Sequence, residues 1–370
     1  MNNRRKQDSA ASIHPGYVPL INRLLRQPVK ADIHRSLFPI DNFMKFAPLG
    51  LSLSTTGRDD PMIHFPYVGS GPYCYANAFA MMFGVDAPST AVIEFATGSP
   101  FGMQMIGGKL PFFDPYGWDP KAGFEDALAA LGWTSSVTSG GSAEDALARL
   151  EVALRDGPVW LGPVEMGHLH HQPGMRGPIG ADHYLVVLAV ENERVLMHDP
   201  QGYPYASLPL GDFMAAWRAE TLSYGKPYTL RTGFTRVAEI SELDTIRRSL
   251  PAAGRWLSMA GAGEMPPGSL GNGAAALALA NLLERGGDED LRGHLVRFAV
   301  RVGARRAGDA ATCLARVGYH EAAEIAGEQA RLIGSLQHPL TTGDDRAAAA
   351  ALRSLAPTYE RLHAALEGRS

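Results

Sequence analysis

The sequence predicts an α+β fold followed by a C-terminal α-helical region. Helical and strand signals mix between Met62 and Phe234, and two apolar strands there are joined by the polar turn Glu191-Asn192-Glu193-Arg194. Beyond Pro267 the chain becomes rich in Ala, Leu, Arg and Glu at helical spacing. These shifts divide the 370 residues into an N-terminal extension (1–61), a mixed domain (62–240) and a helical C-terminal domain (241–370).

Each element has its own warrant. Tyr75–Phe83 is made mostly of good helix formers without β-branching. Ala122–Leu131 and Ala143–Arg155 also read as helices, the latter opened by Ser142 as N-cap with Glu144 and Asp145 in its acidic first turn. Val159–Leu161, Tyr184–Val190, Val195–Met197 and Tyr228–Leu230 read as strands. The stretch from Thr97 to Gly108 is too irregular for an element, and Gly261–Gly268 reads as a linker or exposed loop. After it, Leu277, Leu279, Leu282 and Leu283, then Leu291, Leu295, Phe298 and Val302, mark apolar helix faces. Three further helical segments are expected near Ala310–Val317, Glu321–Leu336 and Arg346–Leu366. Together they read as a helical bundle or cap.

Composition narrows the function classes. A net charge of −4 gives no reason to expect nucleic acid as partner. Two cysteines cannot make a disulfide framework, so a reducing compartment is the simpler reading. The start Met1–Ser9 is basic but no apolar stretch follows it. Neither a signal peptide, nor a transmembrane span, nor a membrane partner is expected, and the cytoplasm is the expected compartment.

Cys74 is the most informative of those residues. It ends the turn-forming Gly69-Ser70-Gly71-Pro72-Tyr73 and begins a helical run, so it faces the unpaired N–H groups and positive end of a helix. Both favour the thiolate, the form that attacks a carbonyl carbon. A thiol enzyme also needs a base and a group that orients it. His183, which opens an apolar strand, is the expected base, and Asp199 the orienter. An antiparallel hairpin would bring the start of one strand near the end of the next, which is how residues sixteen apart can meet. His198 competes as base and Asp182 as orienter; Asp182 ranks second because neighbours on a strand point to opposite faces. For the oxyanion, the Cys74 backbone N–H is a natural donor, with Ser70 and Tyr67 as side-chain candidates. The blander alternative makes Cys74 a small buried hydrophobe and His183 a core residue.

Gly71-Pro72-Tyr73-Cys74-Tyr75-Ala76-Asn77 resembles the nucleophile segment of the peptidase C39-like branch of papain-fold proteins. Gly162 to Pro173, with Asp182-His183-Tyr184 and Asp199-Pro200, is similar to one group in that branch, the butirosin biosynthesis protein H family, N-terminal domain. The resemblance implies a papain-like core over residues 62–240. It implies acyl transfer from a carrier-protein or coenzyme A thioester to a small-molecule amine, in natural-product biosynthesis, with Cys74 as nucleophile, His183 as base and Asp199 as orienting acid. Proteases of this fold usually carry a glutamine shortly before the cysteine; Val68, Gly69 and Ser70 stand there instead. A peptidase or amidase using the same residues is the second reading, and a binding module with an inert thiol the third.

Other constellations are weaker. Tyr73, Asn77, Phe112, Trp118 and His170 are candidates for contacting substrate, the aromatic stretch Phe112–Trp118 as a pocket wall that excludes water. His168, His170 and His171 form a His-x-His-His cluster accompanied only by Glu165, so no metal site is assigned, and no cofactor is expected. Cys313 sits at helical spacing among apolar residues and reads as packed. Arg292, Arg297, Arg301, Arg305 and Arg306 make either a face for an acidic carrier protein or a solvated helix surface.

Overall fold

The computed structural model describes residues 73–368. Ser70, Tyr67 and the expected N-terminal extension lie outside the described residues. The chain enters with α1 (Cys74–Phe83) and α2 (Thr90–Ala96), then the short strands β1 (Gln104–Ile106) and β2 (Leu110–Phe112). α3 (Pro120–Leu131), β3 (Trp133–Thr138), α4 (Ala143–Ala153) and β4 (Val159–Glu165) follow. Next come β5 (Asp182–Glu191), β6 (Arg194–Asp199), β7 (Tyr203–Pro209), α5 (Leu210–Arg218) and β8 (Leu230–Arg236). The mixed part is therefore α/β in content, with six of its eight described strands assembled into one main antiparallel sheet of order β3-β8-β4-β5-β6-β7.

Local chemistry accounts for the boundaries. Asp119 caps α3 by accepting from the Ala122 N–H, with Pro120 in the first turn where its missing donor costs nothing. Ser142 and Asp145 form a reciprocal capping box on α4. The turn between β5 and β6 carries Asn192 at φ 49° and Glu193 at φ 60°, the paired left-handed residues that a two-residue hairpin requires. At Gly162, φ is 148° and an added Cβ would meet the Tyr184 ring and the His183 carbonyl oxygen. Only glycine lets β4 lie this close to the strand that carries His183.

Both faces of the sheet are covered. Tyr184 and Val186 enter one apolar core, while Leu185 and Val187 enter the other, the alternation expected of a central strand. The second core is closed by α4 and α5 through Leu150, Phe213 and Trp217. The first continues well beyond the sheet. It joins Phe79, Phe95 and Phe124 to Leu279, Leu314, Leu352 and Leu362, so the apolar interior runs across residue 240.

The C-terminal region is helical: α6 (Glu242–Leu257), the short β9 (Leu270–Gly271), α7 (Asn272–Glu284), α8 (Glu289–His294) and a π-helical turn (Leu295–Ala299). α9 (Val300–Arg316), α10 (His320–Ser335), α11 (Gln337–Thr342), α12 (Asp345–Leu355) and α13 (Thr358–Glu367) complete it. Among the described residues no single helix is long and apolar enough to cross a membrane.

Several elements differ from expectation. The irregular stretch after Thr97 contains β1, which pairs with β2 and also with β9 of the C-terminal region. That second pairing joins residues far apart in sequence, so no local signal announces it. The strand expected at Tyr228–Leu230 begins at Leu230 instead, because Tyr228 has φ 57° and cannot be extended. Leu277 and Phe298, expected on buried helix faces, are 43% and 46% exposed. In α7 the buried stripe is lined largely by alanine (Ala275, Ala276, Ala280) with Leu279 and Leu283, which allows helices to approach closely.

Candidate active site

Cys74 is the first residue of α1 and is partly buried. The residue before it, Tyr73, has φ 97°, far from what a bulky aromatic ordinarily adopts. Its carbonyl oxygen nonetheless accepts the first helical bond, from the Asn77 N–H at 2.9 Å. Tyr73 makes no side-chain capping bond and no acidic residue occupies the first turn, so neither offsets the positive end of α1 at Cys74.

His183 and Asp199 meet as the hairpin geometry requires. His183 Nε2 lies 2.7 Å from Asp199 Oδ1, with both side chains buried. A carboxylate only accepts, so Nε2 carries the hydrogen and Nδ1 is the nitrogen left for the thiol. Burial alone would lower the imidazole pKa. The Asp199 charge and hydrogen bond outweigh it, and Cys74, within electrostatic reach of the ring, adds to the rise, to about 10. His183 is thus hydrogen-bonded to Asp199 and within electrostatic reach of Cys74.

Asp199 is more heavily supported than a hairpin alone provides. Oδ1 also accepts from the Gln201 N–H at 2.8 Å, and Oδ2 accepts from Gln172 Nε2 and His171 Nε2, both at 2.7 Å. Burial would raise its pKa, but His183, His171 and the backbone donor hold it well below the usual carboxylate range. His171 and Gln172 were not assigned a role from sequence. The signal was the His-x-His-His cluster, but nothing local distinguishes the histidine that reaches Asp199.

The three clustered histidines have separate surroundings. His171 contacts Asp199, His170 Nδ1 lies 3.1 Å from Asp212 Oδ2, and the His168 ring is 6.2 Å from that of His170. Glu165 is committed to the loop that carries them. Its carboxylate accepts from the N–H groups of Gly167, Ile179 and Gly180 and from the Thr221 hydroxyl. Among the described residues no group of three His, Cys, Asp or Glu side chains is placed to hold a metal ion.

The competing residues look elsewhere. Asp182 accepts from the Tyr224 hydroxyl at 2.7 Å, which in turn lies 2.9 Å from that of Tyr184. His198 is buried and its Nδ1 accepts from the Tyr205 N–H at 3.0 Å. Asn77, one turn along α1 from Cys74, is buried with no partner for Nδ2 among the described residues.

Phe112 and Trp118, expected to wall a pocket, are engaged in packing. The Phe112 ring is 4.9 Å from His294 and 6.3 Å from Phe298. Trp118 is buried, with Nε1 donating to the Thr97 carbonyl at 2.9 Å. Cys313 is buried on α9, and burial pushes its thiol up to about 12. The expected arginine face is broken up. Arg306 is buried and paired with Glu94 and Asp114, and Arg292 is paired with Asp345.

Comparison with known proteins finds a matching family model and a similar bacterial protein. Residues 266–367 match the family described as the YobF C-terminal domain. The uncharacterized protein YobF of Bacillus subtilis (strain 168) is 34% identical over 163 residues, 43% of this chain and 52% of that protein. The similarity therefore spans about half the length of this relative.

Proposed function

We propose that this protein is a cysteine-dependent acyltransferase built on a papain-like core and working in the cytoplasm. It takes an acyl group from a carrier-protein or coenzyme A thioester and passes it to a small-molecule amine. The observation that supports the reading is His183 hydrogen-bonded to the Asp199 carboxylate while lying within electrostatic reach of the thiol that begins α1.

The chemistry follows from that order. His183 Nδ1 takes the Cys74 proton, and Sγ attacks the thioester carbonyl, forming a C–S bond. Negative charge moves to the carbonyl oxygen, where backbone N–H groups at the start of α1 can receive it. The tetrahedral centre collapses, the donor's C–S bond breaks, and the leaving thiol takes the proton from His183. An amine then attacks acyl-Cys74 while His183 accepts a proton from its nitrogen. Breaking the Cys74 C–S bond releases the amide and restores the thiolate–imidazolium pair. Asp199 stays charged throughout and keeps the ring in one tautomer.

Intact-mass spectrometry with a panel of acyl thioesters, without amine, tests the reading. A stable adduct on wild-type protein, absent from Cys74→Ala and discharged to amide by an amine, is expected. Casein cleavage that is lost in Cys74→Ala, with no adduct from any thioester, would make the protein a hydrolase. No adduct, no cleavage and no selective alkylation of Cys74 over Cys313 would leave a binding module.

A further inference from the structure

Two consecutive arginines of α9 reach the residues on either side of Cys74. The Arg305 guanidinium carbon lies 3.9 Å from the centre of the Tyr73 ring. Arg306 Nη2 donates to the Tyr75 hydroxyl at 2.9 Å. Neighbouring helix residues stand about 100° apart around the axis, so one helix can present two cations to two positions. Those two positions are covalently bonded to the nucleophile.

The contacts are built rather than incidental. Arg306 is 6% exposed, its Nε donates to Glu94 Oε1 at 2.8 Å, and its Nη1 donates to Asp114 Oδ2 at 3.2 Å. The Tyr75 hydroxyl donates in turn to Glu94 at 2.5 Å, and Ser99 adds a bond to the same oxygen at 2.9 Å. Gln104 donates to Asp114 at 2.6 Å. A guanidinium offers separate donors to Glu94, Asp114 and the Tyr75 hydroxyl, where a lysine ammonium is a single point of charge. On the other side, Tyr73 holds a positive φ that survives only where its surroundings over-determine it. Its buried ring beneath Arg305 supplies that constraint.

We propose that Arg306, assisted by Arg305, is a positioning residue for Cys74, so that the C-terminal helical region is part of the support of the nucleophile. The inference rests on the proposed role of Cys74. Movement of Tyr73 or Tyr75 is transmitted directly to Cys74, and displacements of about 1 Å cost on the order of a hundredfold in reactions that depend on orientation.

The test is the ratio of Cys74 alkylation rates by iodoacetamide at about pH 6 and about pH 10. At the higher pH a free thiol is ionised whatever its neighbours, so changes in access cancel in the ratio. Arg306→Lys and Tyr75→Phe should lower the ratio about tenfold and Arg305→Met by less, with buried Cys313 still protected as the mark of an intact fold. His183→Ala should lower it at least as far. If His183→Ala lowers the ratio and the other three variants stay within about twofold of wild type, the inference fails and the proposed function stands. If His183→Ala leaves the ratio unchanged, the proposed function fails and takes the inference with it. Should Arg306→Lys expose Cys313, Tyr75→Phe decides by the same criterion, because it keeps the ring packed on Phe124 and Tyr184.

Discussion

Asp199 and Glu94 are both fully buried carboxylates, and they are held by different kinds of partner. Asp199 accepts from two imidazoles, one amide side chain and one backbone N–H. Glu94 accepts from the Arg306 guanidinium and the hydroxyls of Tyr75 and Ser99. Imidazole exchanges its proton near neutral pH and guanidinium never does. In the proposed mechanism one buried carboxylate faces a proton that can move, while the other faces a charge that cannot. Burial and charge alone do not distinguish the two carboxylates; the identity of the partner does.

The largest effect that would test this contrast is on turnover. Cys74→Ala and His183→Ala should each cost about 10⁴-fold or more in kcat with a thioester donor and amine acceptor. Asp199→Asn should leave weak activity, about 10²- to 10⁴-fold down, since it orients the base without taking the proton. An active His183→Ala beside a dead His198→Ala would reverse the assignment of the base.

Stability should respond on the other side of the comparison. Arg306→Met leaves Glu94 and Asp114 buried without a counter-charge and should cost about 3–5 kcal/mol in chemical denaturation. An unchanged midpoint would mean that the Arg306 pairs contribute nothing to the folded state.

A pH series sharpens the contrast further. His183 is raised to about 10 in the folded protein by Asp199 and Cys74, against its ordinary value of about 6.5. Its contribution to stability is full below the ordinary value, where both folded and unfolded chains hold the proton. It fades as pH rises through the folded value, because the folded chain must then surrender the ion pair. The gap in melting temperature between wild type and His183→Gln should therefore be widest near pH 6 and narrow towards pH 10. A gap independent of pH would mean that the pair is not ionic. The gap for Tyr75→Phe should stay flat over that range, since burial holds the Tyr75 hydroxyl well above its ordinary value and the guanidinium it contacts does not titrate there.

The smallest expected effect lies far from both carboxylates. Ser142→Ala removes the capping bond of α4 on the opposite core and should cost about 1 kcal/mol without altering Cys74 alkylation. A change in alkylation would show that the two cores are coupled.

What the sequence determined by itself was local or carried by one short hairpin. The turn at Asn192 and Glu193 sets the pairing of β5 and β6, and that pairing brings His183 to Asp199. The helix that begins beside Cys74 and the N-cap at Ser142 were equally legible, because each depends on backbone chemistry within a few residues. Tertiary structure alone decided which histidine of the cluster reaches Asp199, since a loop's path depends on the backbone donors that Glu165 gathers. It also decided that β1 joins β9, and that Arg306 serves Tyr75 rather than solvent. Tyr75 and Arg306 are 231 residues apart. A helix period tells which residues share a face, but what that face meets is settled by packing of the whole chain, where an arginine is buried only if distant carboxylates arrive to pair with it.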